Sequence, residues 1–234
     1  MHLSKYAAEL LGTLVLIAVI GLAIIEPGAG PWAPLLIAAV LTVIIVAGAP
    51  ISGAHYNPAV TLAVFLRGRL HAAEVAPYVL AQTAGAAAGA GLVLCVKSGG
   101  PPVELSIPRA LLAEFLFSFG LCYLALSLII PTRGTSGGWL GAAIGVAAMV
   151  AAYCVNAFYL GAISPVVALG LTILGLSAWS NLWIFLAGHL TAAPAAAVAF
   201  RVISAAAPTA PPAVTESAAE DRHEQEAISR EAAV

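Results

Sequence analysis

Between Arg133 and Arg201 the chain carries no Asp, Glu, Lys or Arg, and two further charge-free intervals separate Glu26 from Arg67 and Glu74 from Lys97. A bilayer crossing takes about 20 apolar residues, so the longest interval holds two crossings with apolar chain left over. A mean hydropathy of +1.02, with 62% hydrophobic and 9% charged residues, places the chain among integral membrane proteins. The formal net charge of −2 says little, because six of the eleven acidic residues follow Arg201. No basic surface suited to a nucleic acid is present. The first apolar run outlasts the core of a signal peptide and lacks a small-residue cleavage site, so a retained N-terminus is expected.

Six crossings are predicted, at about 5–25, 32–50, 74–96, 108–130, 139–158 and 181–203. Two apolar stretches remain, 57–66 and 165–177, each opening at an Xaa-Pro pair and too short to span. Proline tolerated in a first helical turn fits a re-entrant half-helix. Irregular backbone at membrane depth survives only where protein or a watery cavity surrounds it, so both stretches are expected to line something.

The chain also repeats itself. Ala8-Glu9-Leu10-Leu11-Gly12-Thr13 is echoed by Ala113-Glu114-Phe115-Leu116-Phe117-Ser118, and each glutamate precedes an Xaa-Pro pair, by 48 and 50 positions. Two halves of three crossings plus one half-helix follow, at about 5–96 and 108–203. Three is odd, so the second half inserts upside down, and the half-helices enter from opposite faces to meet near the middle.

Lys5, Arg67, Arg69, Arg133 and Arg201 fall on one side of this topology, with only Lys97 and Arg109 opposite, which predicts cytoplasmic termini. A channel domain over 1–203 is then followed by an Ala/Pro/Glu-rich stretch, 204–234, expected to be a disordered tail. Ser217 and Glu220 could cap a short helix there. Cys95, Cys122 and Cys154 each fall in apolar sequence and are expected as small packing residues. No Cys/His spacing suggests a metal site, and nothing calls for a cofactor.

Ser52-Gly53-Ala54-His55-Tyr56-Asn57-Pro58-Ala59-Val60-Thr61, with the paired Ala-Glu dipeptides, resembles the aquaporin or major intrinsic protein family over roughly residues 5–203. The resemblance implies an all-α membrane protein of six transmembrane helices and two re-entrant half-helices in an inverted repeat. It also implies a homotetramer in which each protomer has its own pore. Each half-helix would aim about half a positive elementary charge at the midplane, repelling cations and admitting neutral hydrogen-bond acceptors. Asn57 is expected to cap its half-helix and offer an amide N–H to the permeant, with capping alone as the plainer alternative.

The second tip departs from the family pattern. Where Asn-Pro-Ala is usual the chain reads Ser164-Pro165-Val166. Ser164 is expected to cap in place of asparagine and Pro165 to keep the first-turn geometry, while Val166 adds bulk where the tips pack. Val167 stands where the family usually has arginine. The other outer-filter positions fall on Ile37, Ala152 and Gly161, so the resemblance implies a wide apolar filter. Such filters imply passage of glycerol, urea, ammonia or trivalent metalloid hydroxides such as arsenite, beside water.

An acid inside a membrane span is by default functional, but the symmetry of Glu9 and Glu114 points to support of the re-entrant loops. His55 resembles a pore-lining loop histidine. His189 is expected as a packing or interface histidine. Gly85 and Gly89 form a small-residue stripe, matched by alanines at 192–199, and Tyr153, Asn156 and Tyr159 lie near the end of the fifth span, where tyrosines anchor at an interface. No nucleophile, base or phosphate loop suggests an enzyme. Beside a passive channel for water and small neutral solutes, a secondary transporter and a poorly conducting structural protein remain open.

Overall fold

The computed structural model describes residues 2–128, 137–155 and 160–206. The region 207–234, including Ser217 and Glu220, and residues Arg133, Asn156 and Tyr159 lie outside the described residues. The chain divides into two units, Met1–Val202 and Ile203–Val234. Eight α-helices are described: α1 (His2–Ile24), α2 (Ala33–Ser52), α3 (Pro58–Leu66), α4 (Ala72–Leu94), α5 (Ile107–Leu128), α6 (Gly137–Val155), α7 (Pro165–Ile173) and α8 (Leu182–Ala206). Five are long and apolar enough to cross a membrane, and α6 contributes a shorter apolar stretch, Trp139–Val155.

The two half-helices match in length and in how they end. α3 and α7 have nine residues each, about 13 Å at 1.5 Å per residue, under half of a hydrocarbon core. Helices this short are marginal alone, and both draw their stability from burial of most of their length. Each closes on a left-handed glycine with φ of +79°, Gly68 and Gly175. Arg69 N–H reaches back to the Val64 carbonyl at 3.1 Å, and Leu176 N–H to the Leu171 carbonyl at 2.9 Å. These are the six-to-one bonds of a glycine-terminated helix, which a residue with a Cβ adopts at a cost. The second half-helix therefore stops at Ile173, short of the expected 177.

What holds the far ends differs. At α3, cations meet the negative end of the helix dipole: Arg201 bonds the Leu66 carbonyl, while Arg67 donates to Leu126 O at 2.7 Å and stacks 4.3 Å over Phe200. At α7, backbone does the work, with Gly100 N–H and Val103 N–H donating to the carbonyls of Leu174 and Leu176 at 3.2 and 3.0 Å. Lys97 caps the exit of α1 through the carbonyls of Leu22, Ile25 and Pro27 at 2.6 to 2.8 Å.

α1 packs on α4 through the predicted stripe. A Cβ on Gly85 would sit 2.3 Å from Leu10 O, and one on Gly89 2.5 Å from Leu14 O. In α8, Ala192 and Ala196 stand 107 positions on and are fully buried. The cysteines do not share one role. Cys122 is buried as expected, but Cys95 and Cys154 are exposed, because they fall on outward faces of their helices. Trp32, Trp139, Trp179 and Trp183 are all exposed near helix starts, where amphipathic rings suit a membrane interface. Tyr153, also exposed, donates to Pro31 O at 3.0 Å.

Candidate functional site

Each half-helix is entered through a strained turn held by a buried glutamate. Tyr56 (φ +47°) and Ile163 (φ +59°) adopt left-handed backbone, at roughly 1–2 kcal/mol apiece for residues with a Cβ. Glu9 offsets that cost in the first half. Its Oε1 accepts from Ser52 Oγ at 2.7 Å and His55 N–H at 2.9 Å, and its Oε2 from Tyr56 N–H at 2.7 Å and Gln82 Nε2 at 2.8 Å. In the second half Glu114 accepts from Ala162 and Ile163 N–H, both at 2.8 Å, and from His189 Nε2 at 2.5 Å. Both acids are buried and neither lines the central cavity.

Gln82 and His189 stand 107 positions apart, as do Tyr56 and Ile163, Asn57 and Ser164, and Gly68 and Gly175. His189 is thus a partner of Glu114, a more specific place than general packing. Gln82 went unrecognised in the sequence. A mid-span polar residue at the repeat spacing from another was the signal for it.

At the tips the twins diverge. Asn57 Oδ1 accepts from Ala59 N–H at 2.8 Å, capping α3, and its Nδ2 donates to Ile163 O at 3.2 Å. Ser164 has nearly the same backbone, φ −156° and ψ 136° against φ −155° and ψ 118°. Yet it makes no side-chain cap bond, which corrects the expectation that it would cap in place of asparagine. Its Oγ has no hydrogen-bond partner among the described residues. The backbone permits the bond, so the difference lies in the side chain. Pro58 and Pro165 open the two helices, and Ala59 and Val166 are buried in packing, away from the cavity.

The tips meet in a cavity of about 360 Å3 that touches α1, α2, α5, α6 and both re-entrant turns. Ala33, Ile37, Leu41 and Ile45 line it as one face of α2, and Leu140, Ile144, Ala148 and Ala152 as one face of α6, each pair 107 positions apart. Twelve rises of 1.5 Å make each stripe about 18 Å long. Ile37, Ala152, Gly161 and Val167 all border this cavity, as do His55, Asn57 and Ser164. His55 Nδ1 lies 3.1 Å from Thr61 Oγ1. Gly161 is glycine for a steric reason: a Cβ there would come within 2.4 Å of Val155 Cγ2. Among the lining side chains Glu26, at one end, carries the one formal charge.

The sequence profile described as Major intrinsic protein matches residues 1–200. The chain is 31% identical over 221 residues to Probable aquaporin PIP2-8 of Oryza sativa subsp. japonica, covering 82% of this chain and 78% of that one. It is 42% identical over 88 residues to Aquaglyceroporin AqpS of Rhizobium meliloti (strain 1021), covering 36% and 37%. The solved structure of the aquaglyceroporin from Plasmodium falciparum superposes with a TM-score of 0.67, at 19% identity over 87% of this chain and 97% of that one, and so shares the fold. With the paired half-helices, the twin acids and the shared cavity, these likenesses mean that the chain belongs to the major intrinsic protein family, whose fold is a membrane channel for water and small solutes.

Proposed function

We propose that this protein is a passive channel whose wide apolar filter passes uncharged solutes larger than water, of the class of glycerol, urea, ammonia and trivalent metalloid hydroxides such as arsenite, beside water. One observation carries the reading: Ile37, Ala152, Gly161 and Val167 border the same cavity, and none has a polar side chain or the bulk of an aromatic ring. A constriction of this kind excludes little by size and offers no guanidinium to bind or repel. Cation rejection then rests on the N-termini of α3 and α7, whose N-cap residues, Asn57 and Ser164, border the cavity. The partial match to a bacterial aquaglyceroporin supports the solute class.

Glu9 and Glu114 serve the loops and do not face the cavity, which leaves only Glu26, at one end, as a lining carboxylate, little for ion coupling, and argues against a secondary transporter. Lys5 pairs with Glu74 at 2.9 Å, and Arg67 and Arg201 meet the ends of α5 and α3 at the same end of the bundle as the N-terminus, supporting cytoplasmic termini. Exposed apolar side chains such as Leu11, Val43, Leu116 and Val150 suit lipid or the sister protomers of a homotetramer. The test is swelling of proteoliposomes by stopped flow, one solute at a time. Glycerol and urea entering faster than into empty vesicles is the expected result. Rates equal to empty vesicles for every solute overturn it in favour of a structural role.

A further inference from the structure

Glu26 takes no part in the loop bonds, the tips or the filter, yet it borders the cavity at one end. It is exposed, in the turn between α1 and α2. Its Oε2 accepts from Gly28 N–H at 3.1 Å, and among the described residues no cation pairs with it. Lys97 meets the same turn, but its ammonium donates to the carbonyls of Leu22, Ile25 and Pro27, and it does not border the cavity. On either side of Glu26 in the chain, Ala23 and Ile24 close α1 and Ala33, Pro34 and Ile37 open α2. All five line the cavity, and none has a polar side-chain atom. An unpaired negative charge thus stands at the rim of an apolar funnel.

We infer that this end of the pore is a binding site for small alkylammonium ions, with the head at Glu26 and the chain along the apolar wall, and that such an ion blocks the channel because it cannot travel on. The inference rests on the channel reading above. A carboxylate only accepts hydrogen bonds and an ammonium only donates them, so the two heads match. Both stay in water at the rim, and neither charge has to be desolvated. An exposed pair of this kind contributes only a few-fold in affinity. The alkyl chain supplies the rest, each methylene taken from water adding up to about fourfold. Further passage is opposed twice. The apolar walls offer the charged head nothing in exchange for its water, and the N-termini of α3 and α7 aim positive potential at the midplane. Water and urea carry neither a positive charge nor a chain, so the site discriminates against them.

The test measures water and glycerol permeability of the full-length protein in proteoliposomes, with propyl-, butyl-, pentyl- or hexylammonium chloride on both sides of the membrane at neutral pH. Each rate is corrected for empty vesicles under the same amine. The half-blocking concentration is expected to fall roughly two- to fourfold with each added methylene. Hexanol, which has the chain without the charge, blocks about threefold more weakly than hexylammonium. Glu26→Asp keeps the charge and the parent's half-blocking concentrations. Glu26→Gln, whose side-chain oxygen can still accept from Gly28 N–H, raises them about threefold, and Glu26→Lys about tenfold. Gel filtration of each variant checks that the fold is intact. Absence of block by every amine, hexanol as potent as hexylammonium, or parent-like block in folded Glu26→Gln each overturns this inference and leaves the channel reading standing. A parent that conducts neither water nor glycerol overturns both.

Discussion

The Asn57 amide donates to the Ile163 carbonyl at 3.2 Å, tying the tip of one half-helix to the turn that leads into the other. Nothing equivalent runs back from Ser164, whose hydroxyl has no partner among the described residues. Positions related by the repeat therefore carry different structural weight, and mutation exposes the difference.

Asn57→Ala removes both the cap on Ala59 N–H and the tie to Ile163. A lost cap costs about 1 kcal/mol and a lost hydrogen bond about as much again. Ser164→Ala is expected to cost less than about 0.5 kcal/mol, since its side chain bonds nothing among the described residues. Thermal unfolding in detergent should show a clear drop for the first and almost none for the second; equal drops would mean that Ser164 caps α7 after all.

Val167→Arg puts a long cationic side chain into the cavity beside Ile37, Ala152 and Gly161. Glycerol and metalloid flux should fall far more than water flux, at least tenfold against a few-fold at most, in side-by-side stopped-flow traces. Unchanged solute flux would place Val167 away from the constriction.

His189→Gln installs in the second half the residue that Glu9 already uses in the first, Gln82. Stability and flux should stay near the parent's. His189→Leu deletes a bond to a buried carboxylate, worth roughly 1.5–3 kcal/mol. The thermal midpoint of that variant should fall while the glutamine variant holds; a glutamine variant as damaged as the leucine one would show that the imidazole itself is required.

Gly161→Ala drives a methyl against Val155, and overpacking of that kind costs about 1–3 kcal/mol. Trimming the partner with Val155→Ala should recover most of the loss, giving a favourable coupling in a double-mutant cycle. Additive losses would show that the two residues do not touch.

Much of the architecture was legible in residue order. Pro58 and Pro165 mark where two apolar stretches too short to span begin, and Glu9 and Glu114 mark the repeat, because a first-turn proline and a buried acid are each tolerated in few places. Counting from the two Xaa-Pro pairs led to Ile37, Ala152, Gly161 and Val167, which border one cavity. Three features could not be read this way: Gln82 as a partner of Glu9, His189 as a partner of Glu114, and a serine tip that does not cap. The Glu9 bonds span 43 to 73 positions of chain and those of Glu114 48 to 75, so no local pattern reports them.

The sequence by itself determined the approximate crossings, the two re-entrant starts and the inverted duplication. Each of these follows from rules on charge and proline inside a bilayer. Only the tertiary structure decided which polar atoms are consumed in holding the loops and which are left without a partner among the described residues. That division depends on contacts between segments far apart in the chain, and it separates Asn57 from Ser164 although the backbone treats them alike.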